Sequence, residues 1–130
     1  MEIKQVKQIN TTALAYLGDA VYEVAIRKYI METGQYNADR LHQIAVRYVC
    51  AEGQAKAIKA IMDELTEDEQ SLVKRARNRK ITSKPRNVAP ITYKWATAFE
   101  AFVGYLHLAE QHERLDWFIK RAIDIVNNAE

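Results

Sequence analysis

The stretch TTALAYLGDAVYEVAIRKYIME, residues 11–32, predicts one long helix that decides the fold. Its apolar residues recur at spacings of three and four, which is the period of a helix face. They form two stripes, Leu14, Leu17, Val21 and Val24 in the first and Tyr22, Ile26 and Ile30 in the second. Two stripes predict a helix that is buried on more than one side. Gly34 should end it, because glycine accepts the left-handed conformation at a helix C-terminus.

The same helical spacing continues through most of the chain after this helix. Asn37 or Asp39 is placed to cap the next helix, and Gly53 predicts a break or bend beyond it. Another apolar stripe follows in Ala57, Ile58, Ile61 and Met62. Thr66 and Glu69 have the spacing of a capping box, so a further helix should start there.

Two more helices are predicted near the C-terminus, at about residues 92–110 and 113–128. The chain has 130 residues with 48% apolar content but only four glycines and two prolines, which suits one helical domain with few breaks. No strand pattern, repeat or interdomain linker is recognisable. The sequence therefore predicts a single all-α domain over residues 1–130.

Several classes of protein are excluded by the composition. No run of about 18 apolar residues exists, so no membrane span is expected. The first ten residues, MEIKQVKQIN, lack the apolar stretch of a secretory signal. Cys50 is the one cysteine, cannot form an internal disulfide, and is expected to be a small buried residue. We therefore expect a cytoplasmic protein.

The segment NRKITSKPRNVAP, residues 78–90, shows no periodicity and predicts a long exposed loop. The net charge of +2 hides a basic segment, because seven cations without an acid lie between residues 74 and 86. Phosphate contact and a merely solvated loop both explain this composition. The absence of interleaved aromatic residues favours a duplex backbone over a single strand. The candidate RNA-binding residues are Arg75, Arg77, Asn78, Arg79, Lys80, Lys84, Arg86 and Asn87.

Two acids stand alone in apolar surroundings. Asp19 is the only charged residue between Lys7 and Glu23, and Glu100 is the only one between Lys94 and His107. Neither acid has a lysine or arginine three or four residues away, and burying an unpaired carboxylate costs several kcal/mol. Two such acids on different helices meet most simply around a shared Mg²⁺ or Mn²⁺ ion, which prefers oxygen ligands.

A structural interpretation of the same acids stays open on pattern alone. Gly18 and Asp19 also suit a helix end that is followed by an N-cap aspartate. Glu100 would then serve packing, by accepting a hydrogen bond from a tyrosine, with Tyr16, Tyr22 and Tyr93 as candidates.

The mostly small residues one turn from each acid predict that the two helices approach closely.

Two motifs resemble the signature of a known family. LGDAV at residues 17–21 resembles the E-F-L-G-D-A-V segment of ribonuclease III catalytic domains. TAFEA at residues 97–101, with Gly104 after it, resembles the second acidic segment of that family, D-x-x-E-A. The wider stretch AYLGDAVYE at residues 15–23 is similar to the Mini-III branch, and so are the short loop segments RN at 77–78 and PRN at 85–87. This branch has a catalytic domain without a double-stranded RNA-binding domain.

This resemblance implies a Mg²⁺-dependent endoribonuclease, with Mn²⁺ as a substitute, that acts as a two-fold homodimer. It implies cleavage of double-stranded RNA to 5′-phosphate and 3′-hydroxyl ends in the maturation of 23S ribosomal RNA, and leaves open whether a ribosomal protein takes part. Asp19 and Glu100 carry over as the catalytic, metal-binding acids. Ala15 and Thr97 stand where other ribonuclease III domains have acids, a departure that resembles the Mini-III branch.

Two other functions remain compatible with the residues alone. The same fold as a non-catalytic module would bind double-stranded RNA without cutting it. A helical interaction protein would use its basic segment to contact an acidic partner.

Overall fold

The computed structural model describes residues 1–80 and 87–129, and these residues form helices without any strand. The all-α prediction is confirmed. The helices in chain order are α1 Ile3–Lys7, α2 Thr11–Glu32, α3 Ala38–Val49, α4 Ala51–Ile61, a 3₁₀ turn Met62–Glu64, α5 Glu67–Arg77, α6 Pro90–Leu108 and α7 His112–Asn127. Within the described part, no helix is both long and apolar enough to cross a membrane.

The contact between α2 and α6 is the most extensive one between helices. It is closest at two glycines, Gly18 on α2 and Gly104 on α6. A Cβ atom on Gly18 would collide with the carbonyl oxygen of Glu100, and one on Gly104 would collide with the carbonyl oxygen of Leu14. The two backbones therefore touch at a crossing where no side chain fits.

Aromatic side chains fill the core beneath this crossing. Tyr22 meets Phe99 edge-on at a ring-centroid distance of 4.7 Å, and Phe118 lies 5.0 Å from Phe99 and 4.8 Å from Phe102. All four rings are inaccessible to solvent. Full burial of a large apolar side chain contributes about 1.5–3 kcal/mol, so this cluster anchors α2, α6 and α7 to each other.

The two apolar stripes of α2 have different environments. The second stripe, Tyr22, Ile26 and Ile30, is buried as predicted. In the first stripe Leu14 is buried, whereas Leu17 and Val21 are only half-buried and Val24 is 67% exposed. The expectation that this whole stripe is buried is wrong for the isolated chain, because none of the described helices covers Val24.

Several helices begin or end at capping residues that can be recognised in the sequence. Gly34 has φ +99° just after α2, and the Asn37 side chain caps α3. Thr66 and Glu69 form the predicted capping box at the start of α5, where each side chain accepts a backbone N–H of the other. Pro90 is the first residue of α6, a position where its missing N–H costs nothing.

The break between α3 and α4 lies at Cys50, so the prediction of a break at Gly53 is wrong. Cys50 has extended backbone angles and its Sγ accepts the N–H of Gly53 at 3.4 Å, which makes it the N-cap of α4. Gly53 is needed inside the first turn, because a Cβ there would lie 2.5 Å from the carbonyl oxygen of Arg47. Cys50 is half-buried and has a capping role that its residue type did not indicate.

The basic segment begins inside a helix. Arg75 and Arg77 belong to the last turn of α5, so the irregular part starts only at Asn78. Residues 78–80 and 87–89 lie outside the helices, as predicted for this loop. The candidates Lys84 and Arg86 lie outside the described residues.

We expect Gly18→Ala and Gly104→Ala each to lower the free energy of unfolding by roughly 2–3 kcal/mol, since the new methyl group must push α2 and α6 apart. Urea denaturation measures this loss. Gly34→Ala is the control, because its Cβ has open space and only the positive φ costs about 1 kcal/mol. Equal losses at all three glycines would contradict the close crossing.

Candidate active site

Asp19 and Glu100 lie side by side at the crossing of α2 and α6. Asp19 follows Gly18, and Gly18 packs against the backbone of Glu100. The two carboxyl groups are in hydrogen-bonding contact, although they come from opposite ends of the chain. Asp19 is exposed and Glu100 is half-buried, so the pair opens to solvent on the side of Asp19.

The environment of Glu100 disfavours its charged form. Burial is the main cause, and the negative charge of Asp19 and the hydrogen bond to Asp19 add to it. Glu23, one turn further along α2, contributes in the same direction, and together these effects raise the pKa of Glu100 to about 8. Two carboxylates in contact repel each other, so this pair is stabilised either by a proton or by a cation.

No basic side chain within residues 1–80 and 87–129 forms an ion pair with either acid. The nearest cation on α2, Arg27, binds Glu23 at 2.8 Å. The described part of the chain therefore provides no positive charge to balance the two carboxylates, which is unusual for a purely structural pair.

The structural interpretation of these acids does not fit the helices. Gly18 and Asp19 lie in the middle of α2, so Asp19 is not an N-cap. The Tyr22 hydroxyl is buried without a hydrogen-bond partner in the described part of the chain, and Tyr16 is 86% exposed. No tyrosine among the described residues donates a hydrogen bond to Glu100.

A residue that the sequence did not single out supports Glu100. Gln54 on α4 is 2% exposed, and its side-chain amide lowers the pKa of Glu100 against the larger opposing effects. The available signal was the apolar stripe of α4, because Gln54 precedes Ala57, Ile58 and Ile61 at spacings of three, four and seven. A neutral polar side chain on such a stripe is buried and needs a partner.

The donor set fits a hard divalent cation. Two adjacent carboxylates without a basic partner offer oxygen ligands of the kind that Mg²⁺ and Mn²⁺ prefer. In the described ranges, no group of three or more His, Cys, Asp or Glu side chains is arranged to hold a metal. Ala15 is buried, and the Thr97 hydroxyl donates to the Tyr93 carbonyl oxygen at 3.0 Å. Water and substrate oxygens would have to complete the coordination.

The basic residues of α5 are partly used inside the fold. The guanidinium of Arg77 lies 4.9 Å from the centre of the Trp95 ring, and its Nε donates to Asn78 at 3.0 Å. Arg79 and Lys80 follow α5 as exposed residues, and Asn87 is exposed before α6. Arg79 and Lys80 are therefore the described cations of this segment that are freest to reach a ligand.

An open groove joins this segment to the start of α2. Its volume is about 710 Å³, and it is lined by Lys7, Gln8, Ile9, Asn10, Thr11, Arg75, Asn78 and Arg79. Arg75 donates to the carbonyl oxygen of Lys7 at 3.5 Å, which ties the two walls together. The wall formed by residues 7–11 was not predicted, because α1 has only five residues, too few for a recognisable helical period.

Comparison with known proteins identifies the fold and its chemistry. The profile of the ribonuclease III domain matches residues 12–111. The chain belongs to the ribonuclease III family. Mini-ribonuclease 3 of Enterococcus faecalis is 43% identical to it over 125 residues, which cover 92% of this chain and 95% of the relative. Mini-ribonuclease 3 of Symbiobacterium thermophilum is 44% identical over 117 residues, 90% of each chain. The resemblance to this branch is confirmed.

A crystal structure supports the same assignment for this ribonuclease III domain. A protein from Fusobacterium nucleatum superimposes with a TM-score of 0.81 and 34% sequence identity, over 92% of this chain and 95% of that one. Membership of the family makes the chain an endoribonuclease of the ribonuclease III type. The family acts on double-stranded RNA and depends on divalent metal ions.

Glu100→Gln should stabilise the metal-free ribonuclease at high pH. The pKa of Glu100 is about 8 in the folded chain and near its ordinary value of 4.5 in the unfolded chain. Its protonated form therefore favours folding below pH 4.5, and this contribution is lost as the pH rises through about 8. Glutamine cannot ionise, so its advantage should grow over this window to the order of 1–3 kcal/mol.

Urea denaturation in EDTA, at about pH 5 and about pH 9, measures this difference. Glu113→Gln, at an exposed position on α7, is the control and should show no such growth. A stability difference for Glu100→Gln that stays constant with pH would contradict the burial and repulsion described for this carboxyl.

Proposed function

We propose that this chain hydrolyses double-stranded RNA at the Asp19–Glu100 pair with a bound divalent ion, Mg²⁺ in the first place and Mn²⁺ as a substitute. The observation that carries the proposal is the contact of two acids without a basic partner at the α2–α6 crossing. Their oxygen donors suit these ions, and the family to which the chain belongs depends on divalent metals.

Asp19 and Glu100 would hold the ion in unequal environments. A bound divalent ion supplies Lewis acidity and a water of lowered pKa. Asp19 is exposed and would meet the substrate phosphate, whereas Glu100 is half-buried. Burial makes electrostatic interactions at Glu100 less screened than at Asp19. In the hydrolysis, the water oxygen bonds to phosphorus and the bond to the 3′-oxygen breaks, which leaves 5′-phosphate and 3′-hydroxyl ends.

The basic segment and the groove beside it form the proposed RNA-binding surface. Arg79 and Lys80 are exposed, and Arg75, Asn78 and Lys7 line the same groove. Cations of this kind bind phosphates without reading sequence, so selectivity would come from the shape of the RNA duplex. The guanidinium of Arg77 lies over the Trp95 ring, so Arg77 would contribute mainly to the packing of the fold and less to RNA binding. Asn87 and the undescribed Lys84 and Arg86 remain in the proposal on the sequence alone.

A two-fold homodimer would bring one site to each strand of the duplex. The surface of α2 supports this, because Tyr16 and Val24 on this helix are 86% and 67% exposed. Large apolar side chains grouped on one face usually mark an interface. Sedimentation should give twice the chain mass of 15.0 kDa. A monomer under cleavage conditions would contradict the dimer.

The resemblance to the Mini-III branch supports a 23S ribosomal RNA precursor in the cytoplasm as the substrate. Whether a ribosomal protein presents that RNA is a separate question. Cleavage of a precursor duplex can be compared with cleavage of an unrelated duplex of equal length. Equal rates for the two duplexes with the isolated chain would show that the selection of ribosomal RNA, if it occurs, needs another component.

Asp19→Asn should lower the rate of cleavage at least a hundredfold, since it removes one of two carboxylates that hold the ion. Binding of the RNA should survive, because the groove is left intact. The measurement uses a long duplex with and without Mg²⁺, analysis of the product ends, and a filter-binding assay. Asp39→Asn, at an exposed position on α3, is the matched control. Normal cutting by Asp19→Asn would refute the site, and a wild-type chain that binds without cutting would favour the non-catalytic module.

Arg79→Gln should weaken binding of every duplex sequence to a similar extent. The loss of one phosphate contact should reduce the slope of log affinity against log salt by about 1. Lys120→Gln, at an exposed position on α7, is the control and should leave the slope unchanged. The same slope for Arg79→Gln and the wild type would exclude this residue from the RNA contact.

A further inference from the structure

The side-chain amide of Gln54 is out of place for a residue with only a packing role. In the described part of the chain, two buried side-chain polar atoms lack a hydrogen-bond partner, the Tyr22 hydroxyl and Nε2 of Gln54. A buried unpaired donor has lost its hydrogen bonds to water without replacement, so such atoms are rare in folded proteins. A leucine would fill the same volume without this cost.

The position of Gln54 explains which group its amide serves. Its neighbours on the inner face of α4, Ala57, Ile58 and Ile61, are inaccessible to solvent, and this face packs against α6. Glu100 is the acid of α6 whose charged form this amide favours, so its carboxylate is the acceptor nearest to hand for the unpaired Nε2. A carboxylate has about four lone-pair sites, so it can accept this amide and still offer oxygens to a cation.

The way in which α4 begins determines the position of the Gln54 side chain. Cys50 starts α4 through its cap on Gly53, and the carbonyl oxygen of Cys50 accepts the backbone N–H of Gln54 at 3.0 Å. Gly53 allows α4 to begin directly against the end of α3. The side chain of Gln54 is thus carried to Glu100 by the fold, which brings a third helix to the site.

We propose that Gln54 is a positioning residue whose amide N–H, unpaired in the metal-free chain, donates to the Glu100 carboxylate when a divalent ion binds and keeps it turned towards Asp19. This inference rests on the proposed function. Because the glutamine amide carries no charge, it orients the carboxylate without competing with the cation. Side chains that orient metal ligands in this way typically change metal affinity by 10- to 100-fold when they are removed.

Gln54→Leu tests the role with the metal alone. We expect the affinity of the full chain for Mn²⁺, from EPR titration of the free ion, to fall roughly tenfold, and kcat for a long duplex to fall with it. KM for the duplex should not change, because Gln54 is buried. The free energy of unfolding in EDTA should stay equal or rise, since an unpaired amide is removed.

Gln70→Leu is the matched control. The Gln70 amide donates to the carbonyl oxygens of Met62 and Leu65 at 2.8 and 3.3 Å. Its loss should lower the urea concentration at the unfolding midpoint and leave Mn²⁺ affinity unchanged. If Gln54→Leu does not fold, Gln54→Met carries the same test with an unbranched side chain.

Wild-type Mn²⁺ affinity in Gln54→Leu, whatever its stability, would overturn the positioning role. Asp19→Asn separates this result from a failure of the proposed function. If Asp19→Asn loses Mn²⁺ while Gln54→Leu keeps it, only the role of Gln54 is wrong. If Asp19→Asn also keeps wild-type affinity, the metal site itself is wrong.

Discussion

The contact of two helix backbones at Gly18 and Gly104 is the constraint on which the rest of the structure depends. Only glycine permits this approach, because a Cβ on either residue would overlap a carbonyl oxygen of the other helix. The approach brings Asp19 and Glu100 into hydrogen-bonding contact. The repulsion between them is tolerated because the aromatic core below the crossing holds the helices together.

The affinity of the proposed site for a cation comes from two adjacent carboxyl groups that have no basic partner in the described part of the fold. No described cation pairs with either acid, and burial with like charge raises the pKa of Glu100 to about 8. A divalent ion relieves both effects at once, so affinity for the ion and instability of the empty pair have the same physical origin. Ala15 and Thr97 add no carboxylates, so water and substrate phosphates would have to complete the proposed metal site. In its proposed role, Gln54 would orient Glu100 without adding charge.

The sequence predicted those features that repeat or stand out locally. The period of residues 11–32 predicted α2 to the residue, and the lone acids in LGDAV and TAFEA pointed to the pair that the structure brings together. Periodicity could not show that Val24 is exposed in the isolated chain, since an exposed apolar face has the same spacing as a core face. The basic segment was visible as composition, whereas the stacking of Arg77 on Trp95 depends on packing between helices.

Other features could not be predicted from the sequence, because they depend on tertiary contacts or on weak sequence signals. Gln54 has no local partner, and it acquires its role only when α4 packs against α6. The cap of α4 is a thiol, which is a less familiar N-cap than a serine or aspartate, so Gly53 drew the predicted break away from Cys50.

The most direct measurement of the central claim is an anomalous X-ray difference map from crystals of the chain soaked in Mn²⁺. A cation shared by the two acids predicts a peak at the α2–α6 crossing that contacts both Asp19 and Glu100. A peak on one carboxylate alone, or Mn²⁺ bound only elsewhere on the chain, would contradict it.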